Sequence, residues 1–335
     1  MIPKNRTFRF AVALAAGTLA LAGMFAVSMI AGAADVSVRD VWLAMTSRAT
    51  GEDILIVREL RLPRELGAML VGAAFGVSGA IMQGLTRNPL ADPGLLGLTA
   101  GANVALAVAF ALLPGIGFLG TTFVCFAGAA LGAVLVVALG AFGGGRLSPL
   151  RVVLTGAAVS TFLQAVAEGV SLLFKISKEV SMWTAGGLIG TTWTQLQILA
   201  PIVFVCTLAA LAMARQLTVL SMSEEVAVGL GQKRFQTRTL LFVIVILLSG
   251  GSVALAGNMA FVGLMIPHLV RPLVGHDYRQ VLPMSVIAGA AFMLLADTLG
   301  RTVNAPYETP MAAIVALLGL PFFLYVVHKE GKAPR

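Results

Sequence analysis

An all-α membrane protein with about ten transmembrane helices is the fold class that the sequence predicts, and three observations predict it. Apolar residues fill 58% of 335 positions and charged residues only 11%, a balance that a water-soluble domain of this size does not keep in solution. Apolar runs of about 18 residues or more recur along the whole chain, and a helix needs roughly 20 residues to cross a hydrocarbon core of ~30 Å. The basic residues fall in short segments between those runs, which is a topology pattern rather than a polyanion site. The net charge of +8 therefore does not point to nucleic acid. One polytopic membrane domain over residues 1–335 accounts for the whole chain.

Reading apolar runs bounded by charge, Pro and Gly gives spans near residues 10–31, 65–85, 94–113, 118–141 and 151–174, then 194–213, 239–257, 259–270, 281–299 and 310–328. The first run follows Lys4, Arg6 and Arg9 and ends in Ala31-Gly32-Ala33-Ala34, which imitates a cleavable signal peptide. Its length exceeds an ordinary signal core, and a retained first helix is the expectation. The eighth segment is short and carries Pro267 and His268, so it reads as a half-helix that does not cross fully.

With the N-terminus in the cytoplasm, nine basic residues in internal loops and six at the termini, of 23 in all, fall on the cytoplasmic side. An even number of spans returns the C-terminus to the same side. The remaining basic residues face outward, five of them in the long first loop. A long loop can translocate regardless of charge, yet Arg61, Arg64 and Arg301 lie at span ends, where positive charge resists export. A docking surface for acidic groups would explain them.

Several classes of chemistry are excluded or unsupported. No Gly-x-x-x-x-Gly-Lys-Ser/Thr loop occurs, so ATP would have to be handled by a partner. No Ser/His/Asp set, carboxylate pair or His/Cys cluster has catalytic or metal-binding spacing, so no catalytic or metal-ligating residue is assigned. Cys125 and Cys206 both lie inside apolar stretches and read as small buried side chains. Asn103, Gln164, Glu168, Asn258 and Asp297 would be costly facing lipid, so each should face protein or a water-filled path. Glu168 lies ~25 Å along a helix from Arg151, near the outer mouth. Pathway lining and interhelical hydrogen bonding remain open for these groups. The 37 glycines point to close helix packing.

Two further features concern organisation. Asn88-Pro89-Leu90-Ala91-Asp92-Pro93-Gly94 follows the second span much as Ile266-Pro267-His268 follows the seventh, an echo with inverted topology. The largest internal cytoplasmic loop contains Ser223-Glu224-Glu225-Val226-Ala227-Val228-Gly229-Leu230-Gly231. Ser223 is placed to cap a short helix with acids in its first turn, and Gly229 or Gly231 can end it. That helix is either a solvated connector or a knob that docks into a cytosolic protein.

A collinear series of motifs carries a resemblance. Arg61-Leu62-Pro63-Arg64, Gly79-Ala80-Ile81-Met82-Gln83-Gly84, Asn88 to Gly97, Glu225 to Gly231, Phe261 to His268 and Leu317 to Phe323 resemble the FecCD-type permeases of type II ATP-binding-cassette importers. The resemblance implies a permease subunit in the cytoplasmic membrane that imports a ferric siderophore, with hydroxamates the first expectation and haem or cobalamin the alternatives. It implies as partners a second permease subunit, identical or related, two cytosolic ATPases that bind ATP and Mg, and an extracytoplasmic binding protein. This chain would hold no cofactor. Ser223, Glu224, Glu225, Ala227, Gly229 and Gly231 would form the coupling helix to the ATPase. Arg61, Arg64 and Arg301 match arginines that meet glutamates of the binding protein. Leu147, Ser148, Pro149 and Leu150 match the cytoplasmic gate, with Pro149 and Leu150 where the cobalamin importer has hydroxyl residues. Asn103, Gln164 and Glu168 are the pathway candidates. An ion-coupled secondary transporter is the competing class, with Glu168 and Asp297 as its relay candidates.

Overall fold

Lipid offers no partner to a backbone N–H or C=O, so an apolar chain must satisfy those groups within helices. The computed structural model describes residues 4–32, 36–141, 149–222 and 234–330, and no strand occurs among them. The helices are α1 (Lys4–Ile30), α2 (Val38–Thr46), α3 (Glu52–Leu55), α4 (Leu62–Thr86), α5 (Leu98–Leu112), α6 (Phe118–Ala141), α7 (Pro149–Leu173) and α8 (Ser177–Thr184). They continue as α9 (Trp193–Ala212), α10 (Ala214–Ser221), α11 (Arg234–Ala256), α12 (Val262–Val274), α13 (Tyr278–Thr302) and α14 (Met311–Glu330). Seven helical stretches are long and apolar enough to cross a membrane, and shorter apolar helices at Leu98–Leu112, Val262–Val274 and Met311–Val326 bring the set to the ten read from sequence.

Two spans differ from that reading for local reasons. The third does not begin at residue 94, because a 3-10 turn at Gly94–Leu96 ends at Gly97 with φ 76, and α5 starts only after it. The side chains of Asn88 and Asp92 divert the backbone there: Leu90 N donates to Asn88 Oδ1 at 3.0 Å and Gly94 N to Asp92 Oδ1 at 2.7 Å. Helix α12 holds only 13 residues, or ~20 Å, too short for a ~30 Å core. Each half of the chain thus follows a long helix (α4, α11) with a short one (α5, α12) of opposite direction.

The second difference is at the start of the second span. Helices α3 and α4 form one continuous stretch, Glu52–Thr86, through a π-turn at Ile56–Arg61. Pro63 is the reason. It has no N–H to give to a preceding carbonyl, and the ladder widens instead, with Leu62 N bonding to Val57 O. Neither Leu62 nor Pro63 can then satisfy the carbonyl of Arg58, and Trp193 Nε1 on α9 donates to it at 3.2 Å. The widened turn also separates Arg58, whose guanidinium bonds to Ala44 and Ser47 carbonyls of α2, from Arg61, which turns toward α1.

Helix α4 is buried on nearly every side along its length and is the axis of the bundle. Small residues let its neighbours approach to backbone contact. A Cβ added at Gly72 would sit 2.1 Å from Gly289 O on α13, and one at Gly79 would sit 1.9 Å from Gly263 O on α12. The close approach anticipated from the glycine content is therefore located on the α4 crossings and on the α5–α6 crossing, where a Cβ at Gly101 would sit 2.1 Å from Gly128 O. Cys125 and Cys206 are buried free thiols. Gly79→Ala should force α4 and α12 apart and lower stability by about 1–3 kcal/mol, read as a reduced midpoint of thermal unfolding in detergent.

Candidate functional site

Two of the three arginines singled out from the sequence, Arg61 and Arg301, converge on the C-terminal end of α1. A helix end leaves its last carbonyls without intrahelical partners, and cations suit the negative end of its dipole. Arg61 Nη1 donates to Met29 O at 2.7 Å and Ile30 O at 2.9 Å. Arg301 Nη2 donates to Ser28 O at 3.3 Å and its Nη1 to Ala31 O at 3.2 Å. The two guanidinium groups close over Gly32, where a Cβ would lie 3.1 Å from Arg61 Nη2 and 3.4 Å from Arg301 Nη1.

Carboxylates on three elements neutralise this cluster. Glu65, 0% exposed on the first turn of α4, accepts from Arg301 Nη2 and from the hydroxyl of Ser28. Ser28 Oγ in turn accepts from Arg301 Nη2 at 3.0 Å. Asp297, one turn before Arg301 on α13, lies 3.0 Å from Arg301 Nε in a contact too poorly aligned to count as a hydrogen bond. The same carboxylate takes Arg64 Nε at 3.0 Å and Nη2 at 2.9 Å. Arg64 is completed by Glu308 in the loop before α14, at 2.8 and 3.0 Å. Within this cluster three arginines and three carboxylates therefore balance.

The sequence singled out Arg61, Arg64 and Arg301 and left Asp297 facing either protein or a water-filled path; the structure joins all four. Arg61 and Arg301 are buried, while the Arg64 side chain keeps 14% accessibility. Glu65, Glu308 and Ser28 were missed. The available signals were the adjacent Arg64-Glu65 pair at a span end and the Asp297–Arg301 spacing of four, which puts both on one face of α13.

At the opposite end of the bundle, Ser223, Glu224, Glu225, Ala227, Gly229 and Gly231 lie outside the described residues, as do Leu147 and Ser148 of the gate segment; α7 opens at Pro149 and continues through Leu150. The stem that leads into the loop is well anchored. Arg87, just past α4 with φ 52, donates from Nε to Leu220 O at 3.0 Å. Thr218 on α10 donates to Asp277 Oδ1 at 3.1 Å and accepts from Tyr278 N at 3.1 Å. Burial opposes the charge on Asp277, yet hydrogen bonds from the Arg279 side chain and amide and from Thr218 outweigh it and hold its pKa below the usual carboxylate value. A cavity of about 570 Å³ opens beside this stem, lined by Gln83, Arg87, His268, Arg271, His276 and Tyr278 among others.

The pathway candidates separate. Asn103 is buried on α5 and its Oδ1 accepts no hydrogen bond. Gln164 and Glu168 are exposed on the same face of α7, with Thr161 in line one turn earlier. Both are thus accessible on the surface of the described residues. Among the described residues no group of three or more His, Cys, Asp or Glu side chains could hold a metal.

Comparison with known proteins gives this architecture a context. The family model described as the FecCD transport family matches residues 18–329. The iron(3+)-hydroxamate import system permease protein FhuB of Bacillus subtilis is 42% identical over 98% of this chain and 86% of its own. The ferric enterobactin transport system permease protein FepD of Escherichia coli is 35% identical, covering 92% of each chain. A solved structure, an inward-facing conformation of a putative metal-chelate type ABC transporter, superposes with TM-score 0.82 at 28% identity, covering 96% of this chain and 99% of that one.

Removing one member of a buried ion pair strands the other charge, so Glu65→Ala should destabilise the protein by about 3–5 kcal/mol. Replacing both partners, Glu65→Leu with Arg301→Met, should recover much of that loss in the same thermal unfolding assay. Equal loss in single and double variants would show that the pair is not what holds α1 to α4 and α13.

Proposed function

Because this chain belongs to the FecCD transport family, we propose that it is the membrane-spanning subunit of an ATP-driven importer that carries a ferric siderophore, of hydroxamate type in the first instance, across the cytoplasmic membrane. The observation that carries this reading is the 42% identity to a hydroxamate import permease over almost the whole chain, in a protein whose described residues form ten apolar helices. Basic residues concentrated in alternate loops put both termini in the cytoplasm. The arginine end then faces outward and the end with Arg87, Asp277 and the stem of the coupling loop faces the ATPases.

On this reading a loaded binding protein docks against the outer end through acidic groups directed at Arg61, Arg64 and Arg301, and the chelate enters a path between two permease subunits. Gln164 and Glu168 on the exposed face of α7 line that path, and Asn103 supports it from α5. Two cytosolic ATPases, which hold ATP and Mg, press on the helix at Ser223 to Gly231, and the gate at Leu147 to Leu150 opens or closes the cytoplasmic side as the two states exchange. Since catalysis resides in those partners, this chain acts as a conduit. A proton or ion relay gets no support from Asp297, which is tied to Arg64 and Arg301 on both sides.

Deleting the gene should abolish uptake of radiolabelled ferric hydroxamate by whole cells, and a plasmid copy should restore it. Loss of haem, ferric citrate or cobalamin uptake with hydroxamate uptake intact would replace the substrate assignment. Charge reversal at Arg64 together with Arg301 should weaken capture of the binding protein, with a loss that deepens as salt is lowered. Undiminished capture by a folded double variant would remove the docking role.

A further inference from the structure

The three arginines at the outer end differ in how firmly they are committed. Arg61 and Arg301 are buried and spend their donors on the carbonyls that end α1. Arg64 makes no such backbone bond; two carboxylates share its guanidinium. Those two carboxylates are unlike each other. Asp297 is 1% exposed, sits in the middle of a helical turn and also faces Arg301, so it cannot leave without stranding charge. Glu308 grips the far edge of Arg64 with both oxygens, yet its side chain is 31% accessible and it belongs to the exposed 303–310 loop. Its neighbours Val303 and Tyr307 are 67% and 74% exposed.

The energetics follow from that asymmetry. The Glu308 side of the pair is open to solvent, so water can take over from that carboxylate more readily than from the buried Asp297. Swinging Glu308 into solvent is therefore a small step. A carboxylate arriving from outside with the same fork geometry restores both N–H···O bonds that Glu308 gave up.

We propose that Glu308 is a built-in stand-in for the acidic side chain of the docking protein: it occupies Arg64 in the undocked permease and is exchanged for the partner's carboxylate on docking, with residues 303–310 moving as it leaves. This rests on the docking role of Arg64 given above. The exchange explains why Arg64, meant for an acidic partner, is already paired in the chain on its own. It also gives Glu308 a defined effect, since an internal competitor weakens docking and speeds release, and does so only through Arg64.

The test uses the intact permease–ATPase complex in nanodiscs and its ferric-hydroxamate-loaded binding protein from the same cell, with affinity read by biolayer interferometry. Glu308→Gln keeps the side-chain shape and removes its charge, and it should tighten docking about threefold to tenfold, mainly through a slower off-rate. Arg64→Gln should weaken docking. In the Arg64→Gln background, Glu308→Gln should have no further effect, an outcome that a general loosening of the loop would not produce. If Arg64→Gln weakens docking while Glu308→Gln leaves it unchanged or weaker, the stand-in role is overturned and the docking reading stands. If Arg64→Gln has no effect in a complex that still binds its ATPase and keeps its melting temperature, both are overturned.

Discussion

Burying Arg301 between Glu65 and Asp297 is the step on which this end of the helix bundle depends. A guanidinium at the edge of a lipid-facing bundle is tolerable only if its charge is matched and its donors are used. Arg301 has its charge matched and both terminal nitrogens bonded by drawing three helices to one point: α1 and its C-terminal end supply carbonyls and the Ser28 hydroxyl, α4 supplies Glu65, and α13 supplies Asp297. Asp297 then carries the network outward to Arg64. Away from that point the same helices are held by backbone contact at glycine crossings, where packing replaces the hydrophobic effect as the source of cohesion. Polar pairing at the end and close packing along the length are complementary ways of joining helices that lipid does not push together.

The two ends of the molecule are mechanically linked by α4. Arg64 lies at its start and Arg87 just past its finish, a separation of ~35 Å along a single helix. Arg64 reaches the surface at which a binding protein would dock, and Arg87 holds the carbonyl of Leu220 at the stem of the coupling loop. A movement of α4 relative to α13 would therefore be felt at both places. The tight crossings of α4 favour motion of packed helices as rigid pieces over bending within them.

Much of this was legible in the sequence because lipid imposes simple rules. Ten apolar runs, the short Pro-bearing segment at Val262–Val274 and the glycine-mediated packing all follow from length, composition and backbone satisfaction. The breaks that sequence reading misplaced come from single groups: Asp92 and Asn88 divert the chain before α5, and Pro63 converts a helix start into a widened turn inside a longer helix. Arg61, Arg64 and Arg301 stood out because positive charge at an exported span end is anomalous. Their partners did not, because Glu65 and Glu308 are unremarkable where they stand in the chain, and Arg301 lies 236 residues from Glu65. Charge anomalies mark one side of a pair; only the fold supplies the other.

As proposed, this chain is a conduit energised from the cytosol by its partner ATPases. Proteoliposomes containing the permease with its ATPases and binding protein, given ferric hydroxamate outside and ATP inside, test it most directly. The account predicts internal accumulation of iron that requires ATP and is unaffected by collapse of the proton and sodium gradients. Accumulation that persists without the ATPases and follows an ion gradient would contradict it.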